Sequence, residues 1–310
     1  VMNGSLPALA GNLDPVQSTY LSTIASPDSD SSRYTYRAWL DRFLAWCDVN
    51  QLDPLSLKRL QLEVYIQHLL TDGRIRGTGG LKPSTVNTAF TPVRVFYEIA
   101  VDEELILRDP TRRLKLPKYE YTKRQLVPTR DFMLFLEVAK TTSPRHWACA
   151  ALLSGLALRI HEVAALRVED YLPNVEQGQH VLVYRQKGGK TARTPVPLPT
   201  LQALEAVRAG RTEGPLIPKR DGGQLTRTGA AGLVTTINRR AMAQGMKKPI
   251  NPHLVRAMAI TEAFEMGMTG RDVQAFARHA DPRTTRRHYD LGNGNHYRHP
   301  AHQIAGRLAV

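Results

Sequence analysis

Apolar side chains recur at helical spacing through most of this chain, and a single segment alternates like a pair of strands. From Arg33 onward, Tyr36, Trp39, Leu40, Phe43, Leu44 and Trp46 fall on one face of a helix. That aromatic stripe reads as core rather than as a platform for stacking bases. A second apolar helix covers Leu60–Leu70 and stops at Asp72-Gly73, and Pro83-Ser84-Thr85 opens a third that runs to about Val101. Between them, residues 73–80 carry Gly73, Gly77, Gly79 and Gly80 with Arg74 and Arg76, the composition of a loop. Residues 1–32 are rich in Ser, Asp and Pro and show no sustained periodicity, so 1–30 is expected to be partly flexible. The first domain, residues 1–112, is then a small all-helical bundle.

Asp109-Pro110 closes that bundle. Residues 113–128 continue as a basic, proline-containing interdomain linker, part of a run with Arg108, Arg112, Arg113, Lys115, Lys118, Lys123 and Arg124. The remainder, 129–310, reads as a second domain with helices near 130–140, 146–158, 200–208, 228–243, 253–266 and 270–278. Its strand signal lies at 180–198, where His180–Tyr184 and Thr194–Leu198 flank Lys187-Gly188-Gly189-Lys190 as a hairpin. The fold class expected is mainly α, with a small antiparallel β-sheet in the second domain.

Charge is unevenly placed. Residues 1–117 hold 13 basic and 13 acidic side chains, whereas 118–310 hold 29 and 15, and supply the whole formal charge of +14. A basic surface concentrated in this way suits a polyanion. Cys47 and Cys149 are the only cysteines, too few for a disulfide framework or a cysteine-based zinc module, which fits a reducing cytoplasm. No apolar run reaches the ~18 residues of a membrane span, and the first residues lack the layout of a signal peptide. His296, His299 and His302 are spaced three apart, but Pro300 interrupts them and no cysteine or carboxylate joins them. No metal and no cofactor are expected.

Four segments carry chemistry. In Gly155-Leu-Ala-Leu-Arg159-Ile-His-Glu162, a guanidinium follows an apolar helix, where burial is costly unless an anion meets it. Glu162, three residues on, is placed to brace it or a neighbouring residue, and a snorkelling arginine in a plain helix salt bridge is the alternative that this segment alone favours. The hairpin turn offers Lys187 and Lys190 on flexible glycines; the neighbouring Gly189-Lys190-Thr191 lacks the first glycine of a nucleotide-binding loop, since Tyr184 stands there. In Pro252-His253-Leu-Val-Arg256, i and i+3 set an imidazole beside a guanidinium, a pair suited to a phosphate. In the stretch from His279 to Tyr289, a phenol sits in a basic segment, where nearby cations would favour the phenolate.

Together the four segments resemble the tyrosine recombinase (phage integrase) family, in order and in spacing. Arg159 matches the family's first arginine, Glu162 the acidic residue after it, and Lys187 the hairpin lysine. His253 and Arg256 match the His-x-x-Arg box, His279 the late histidine and Tyr289 the nucleophile. The resemblance spans roughly residues 30–290 and also takes in the Pro83 helix start and the basic linker. Three departures stand out. Ala157 and Arg278 occupy positions where glycine is usual, and Tyr289 follows His279 by ten residues, one more than the commoner spacing. His288 occupies the commoner position, and Tyr297 lies nearby.

The resemblance implies that the first domain is a core-type DNA-binding domain, with no arm-binding domain before it, and that the second is catalytic. It implies cleavage through a 3′-phosphotyrosine and a Holliday junction, on double-stranded DNA core sites, by a homotetramer on synapsed DNA. Arg159 and Arg256 would clamp the phosphorane, His253 and His279 would serve proton movement and hydrogen bonding, and Lys187 would protonate the leaving 5′-oxygen. Rival readings are a type IB topoisomerase, which shares the chemistry, and a DNA-binding regulator without catalysis. The tail 291–310, with a Gly292–Asn295 hinge and Ile304, Ala305 and Leu308 on one helical face, is expected to dock on a neighbouring protomer.

Overall fold

The computed structural model describes residues 14–74, 77–119, 126–186 and 189–278 of the 310-residue chain. Lys187, His279, Tyr289, the spaced histidines of the tail and the tail itself lie outside the described residues. The chain divides into two compact units, residues 1–122 and 123–310.

In the first unit, four α-helices are described: α1 (Pro15–Ala25), α2 (Asp30–Val49), α3 (Arg59–Asp72) and α4 (Pro83–Asp102). The segment holding α1 shows no apolar periodicity, because the helix buries Thr19, Thr23 and Ile24 rather than a long apolar stripe. Local capping starts it: Asp14 accepts the Gln17 N–H, and Pro15 occupies the first turn. Ser29 caps α2 in the same way, through the Ser32 N–H. The apolar face of α2 inserts Leu40 and Phe43 fully into the bundle core, and Trp39 and Trp46 pack partly buried against it. Phe43 meets Tyr65 of α3 edge-on at 5.1 Å and Tyr97 of α4 at 6.2 Å. The buried Tyr97 hydroxyl donates to the Pro54 carbonyl at 2.7 Å, so the phenol costs the core no unpaired donor.

The start of the basic segment is tied to this same core. Leu114 is buried in it and Leu116 packs against it. Asn87 Nδ2 donates to the Pro117 carbonyl at 3.2 Å and Arg94 Nη2 to the Leu114 carbonyl at 3.4 Å. Leu114 and Leu116, at alternate positions, face this core while Lys115 between them is exposed, as are Arg112 and Arg113 in the turn before them.

The second unit begins with α5 (Thr129–Thr142) and α6 (Pro144–Gly155), then a short α7 (Ile160–Ala165). A three-stranded antiparallel sheet follows: β1 (Val175–Glu176), β2 (Gln179–Arg185) and β3 (Thr191–Pro195), in the order β1-β2-β3. The hairpin is the one expected, but its register is Val183 opposite Arg193 and Tyr184 opposite Ala192. β3 therefore starts earlier than the Thr194 expected from composition, because the ladder runs on to Arg185 opposite Thr191. Then come α8 (Leu198–Arg208), α9 (Arg227–Ala243), α10 (Pro252–Glu265) and α11 (Gly270–Ala277). The described residues are mainly α-helical with one small antiparallel sheet, as the patterning predicts.

The core of this unit gathers Phe135 of α5, Leu152 and Leu153 of α6, Leu182 of β2, Ile237 of α9 and Val255 of α10. Gly155 lets the end of α6 lie against α8: a Cβ there would stand 2.7 Å from Thr200 Oγ1. The helix stops at that point, short of the residue 158 that the apolar run suggests, since Ala157 turns into the left-handed region at φ 46°.

Candidate active site

Three chain segments meet where α6 ends: the turn Leu156–Arg159, the first half of α10, and the C-terminal end of α11. Arg159 is the N-cap of α7 rather than the last residue of α6. Its backbone N–H donates to Glu162 Oε2 at 2.7 Å, the reach-back half of a capping box. Its guanidinium Nη1 donates to the other carboxylate oxygen at 3.1 Å. The Glu162 side chain is fully buried and that of Arg159 is 27% exposed, so the pair is sealed at the carboxylate and open at the guanidinium. A buried carboxylate held by two donors from one residue fixes that residue's rotamer as well as its charge.

Arg256 lies one turn into α10 and is only 4% exposed. Its start is set from α9: Asn238 brackets the Ile250 backbone through hydrogen bonds of 2.8 and 2.9 Å, and Asn251 caps the helix through the Leu254 N–H at 2.9 Å. Arg256 Nη1 donates to the Ala157 carbonyl and Nη2 to the Ala277 carbonyl. The guanidinium therefore bridges the Arg159 turn to the end of α11. His253 sits one turn earlier on the same helix and is exposed.

Sequence reasoning did not find Arg278 as a member of this group. It stands at the C-cap of α11 with φ 52°, 9% of its side chain exposed. Nη1 donates to the Leu156 and Phe276 carbonyls at 3.0 Å each, and Nη2 to the Ala157 carbonyl at 2.6 Å. Its Nη2 is 4.0 Å from Glu162 Oε2, and its guanidinium carbon lies 5.7 Å from the centre of the Tyr184 ring on β2. Burial lowers the Arg278 pKa from its usual value, while Tyr184 and Glu162 pull it back up. Burial likewise raises the Tyr184 pKa, against the opposing effect of the Arg278 charge. The one visible signal for Arg278 was its occurrence where glycine is usual.

A cavity of about 530 Å³ opens beside this cluster, between the β2–β3 hairpin and α11, lined by Gln186, Ala192, Thr194, Phe276 and Arg278 among others. The structure thus brings together Arg159, Glu162 and Arg256 of the sequence candidates and places His253 on the same helix as Arg256. Clustered guanidiniums around one carboxylate leave net positive charge, half-open to solvent at Arg159, which is the electrostatic condition for taking up an anion.

Comparison with known proteins gives the family. Residues 129–294 match the model of the phage integrase family, and residues 23–107 match the phage integrase N-terminal SAM-like domain. Tyrosine recombinase XerD of Pseudomonas putida is 26% identical over 268 residues, covering 83% of this chain and 85% of that protein. Tyrosine recombinase XerC of Xanthomonas campestris pv. campestris is 26% identical over 262 residues, covering 81% and 75%. Among solved structures, the Tn1549 transposon integrase in complex with transposon right end DNA superposes with a TM-score of 0.70 at 16% identity, covering 96% of this chain and 100% of that one. A lambda integrase dimer bound to a core site gives a TM-score of 0.69 at 11% identity, covering 91% and 95%. The chain belongs to the phage integrase family of tyrosine recombinases and is a site-specific recombinase enzyme.

Proposed function

We propose that this recombinase cleaves and rejoins double-stranded DNA at core sites through a 3′-phosphotyrosine on Tyr289, and passes through a Holliday junction. The observation that carries the reading is the joint fixing of Arg159 and Arg256 around the Ala157 turn, one through Glu162 and the other through the Ala157 carbonyl. In this reading the two guanidiniums neutralise the non-bridging oxygens of the pentavalent phosphorane. Pre-orientation matters because a guanidinium that had to reorganise during the reaction would give back much of its stabilisation.

The remaining roles complete the proton balance. Tyr289 Oη attacks phosphorus and loses its proton, with His253 assisting and His279 donating a hydrogen bond to a phosphate oxygen. The bond to the 5′-oxygen breaks and Lys187 supplies the proton to that oxygen. The tyrosyl phosphodiester retains the bond energy, so the reverse attack by a 5′-hydroxyl rejoins the strand without a nucleotide cofactor. Residues 1–112 and the catalytic domain 129–310 would each contact the core site, and the basic residues of 113–128 would add contacts to phosphates. The working species is a homotetramer on two synapsed sites in the bacterial cytoplasm, and the tail 291–310 couples its protomers.

A duplex with a nick just beyond the scissile phosphate tests this, because a short 5′ fragment diffuses away after attack and leaves the enzyme attached. Covalent attachment separates the enzyme from a silent DNA-binding regulator. Formation of Holliday junctions between two duplexes separates it from a type IB topoisomerase, which would relax supercoils without joining partners.

A further inference from the structure

We propose that Arg278 is a positioning residue for the recombination site, setting the Ala157 turn on which Arg159 and Arg256 depend. It rests on the reading of those two arginines as phosphate ligands. The backbone at 278 offers no reason for an arginine. It is a helix C-cap in the left-handed region, φ 52°, a place where glycine or asparagine is at ease and a long side chain is strained. What the side chain reaches lies far away in sequence: the Leu156 and Ala157 carbonyls, at 3.0 and 2.6 Å, belong to the turn before Arg159.

The Ala157 carbonyl is the shared point. It accepts from Arg278 and from Arg256, and Ala157 is itself left-handed at φ 46°. Two left-handed residues meet across this contact, Arg278 donating and the Ala157 carbonyl accepting. Removing the Arg278 guanidinium leaves Ala157 with Arg256 as its one charged donor and takes the second cation from the neighbourhood of Glu162, whose Oε2 stands 4.0 Å from Arg278. The same side chain ties the end of α11 in place, and His279 is bonded directly to it in the chain. A guanidinium suits the task better than an ammonium, since it divides the Leu156, Phe276 and Ala157 carbonyls between two rigidly spaced nitrogens.

The expected signature is a loss of chemistry with DNA affinity retained. Arg278→Gly and Arg278→Lys are compared with the wild type on the nicked duplex, with single-turnover cleavage measured at saturating DNA and normalised to folded protein by thermal denaturation. Glycine suits the backbone at this position, so Arg278→Gly tests the side chain without a folding penalty from φ. Both variants should cleave about tenfold or more slowly per folded molecule, since small misplacements of reacting groups cost rate steeply. Their affinity for a half-site should stay within about threefold of wild type, because phosphate contacts elsewhere carry binding. Cleavage within about twofold of wild type in either variant overturns the role, as does a rate that falls only in step with affinity. If the wild type forms no covalent complex, the reading of the site itself has failed; if it does and the variants match it, the positioning role alone has failed.

Discussion

The carboxylate of Glu162 holds Arg159 twice, accepting its backbone N–H at 2.7 Å and its guanidinium at 3.1 Å. With the carboxylate fully buried and the guanidinium partly open, the ion pair works as a mount more than as a source of stability. Substituting Glu162→Gln keeps one acceptor and removes the charge. Urea unfolding should show a loss of about 1–3 kcal/mol, and cleavage should slow as the Arg159 rotamer is freed. A variant as stable and as active as wild type would remove Glu162 from this role.

In the proposed mechanism, Arg159→Ala and Arg256→Ala each take away charge that stabilises the phosphorane. Cleavage on the nicked duplex should fall by at least about a hundredfold, while half-site binding in gel shifts weakens far less. Arg256→Lys should fare little better than the alanine, since its single nitrogen replaces the two that reach the Ala157 and Ala277 carbonyls separately and loses the planar fork for a phosphate. Cleavage within a few-fold of wild type in any of these variants would contradict the clamp.

Cleavage by the wild type should continue in EDTA, because the guanidiniums supply the charge that a divalent ion would otherwise bring. A strict need for magnesium in the same assay would contradict that division of labour.

The candidates Arg159, His253 and Arg256 come from the order and spacing of the family signature they resemble, since each motif alone is weak, and the structure holds Arg159 and Arg256 at one turn. The fold class follows from apolar periodicity. What the sequence concealed depends on contacts distant in the chain. Arg278 looks like one more basic residue in a basic segment until its guanidinium is seen on the Leu156 and Ala157 carbonyls. The short helix α7 and the two-residue strand β1 are too brief to show a period, and α1 buries threonines where a pattern search looks for leucines. The strip around Leu114 reads as linker because its anchoring, through Asn87 and Arg94, comes from a helix some twenty to thirty residues earlier.

Deleting residues 299–310 probes assembly. With the amphipathic segment that holds Ile304 and Leu308 gone, single protomers should still bind a half-site, while synapsis and strand exchange collapse. Analytical ultracentrifugation with paired core sites would read this directly. Normal synapsis by the truncated chain would rule out docking between protomers, and loss of folding would place the tail on its own domain.

The reaction turns on which phenol attacks phosphorus. Wild-type protein trapped on a nicked core-site duplex, digested and sequenced by mass spectrometry, should carry the 3′-phosphoryl nucleotide on Tyr289. Tyr289→Phe should bind the same duplex and form no adduct. An adduct that persists in Tyr289→Phe, or one mapped to Tyr297 in the wild type, would contradict the assignment.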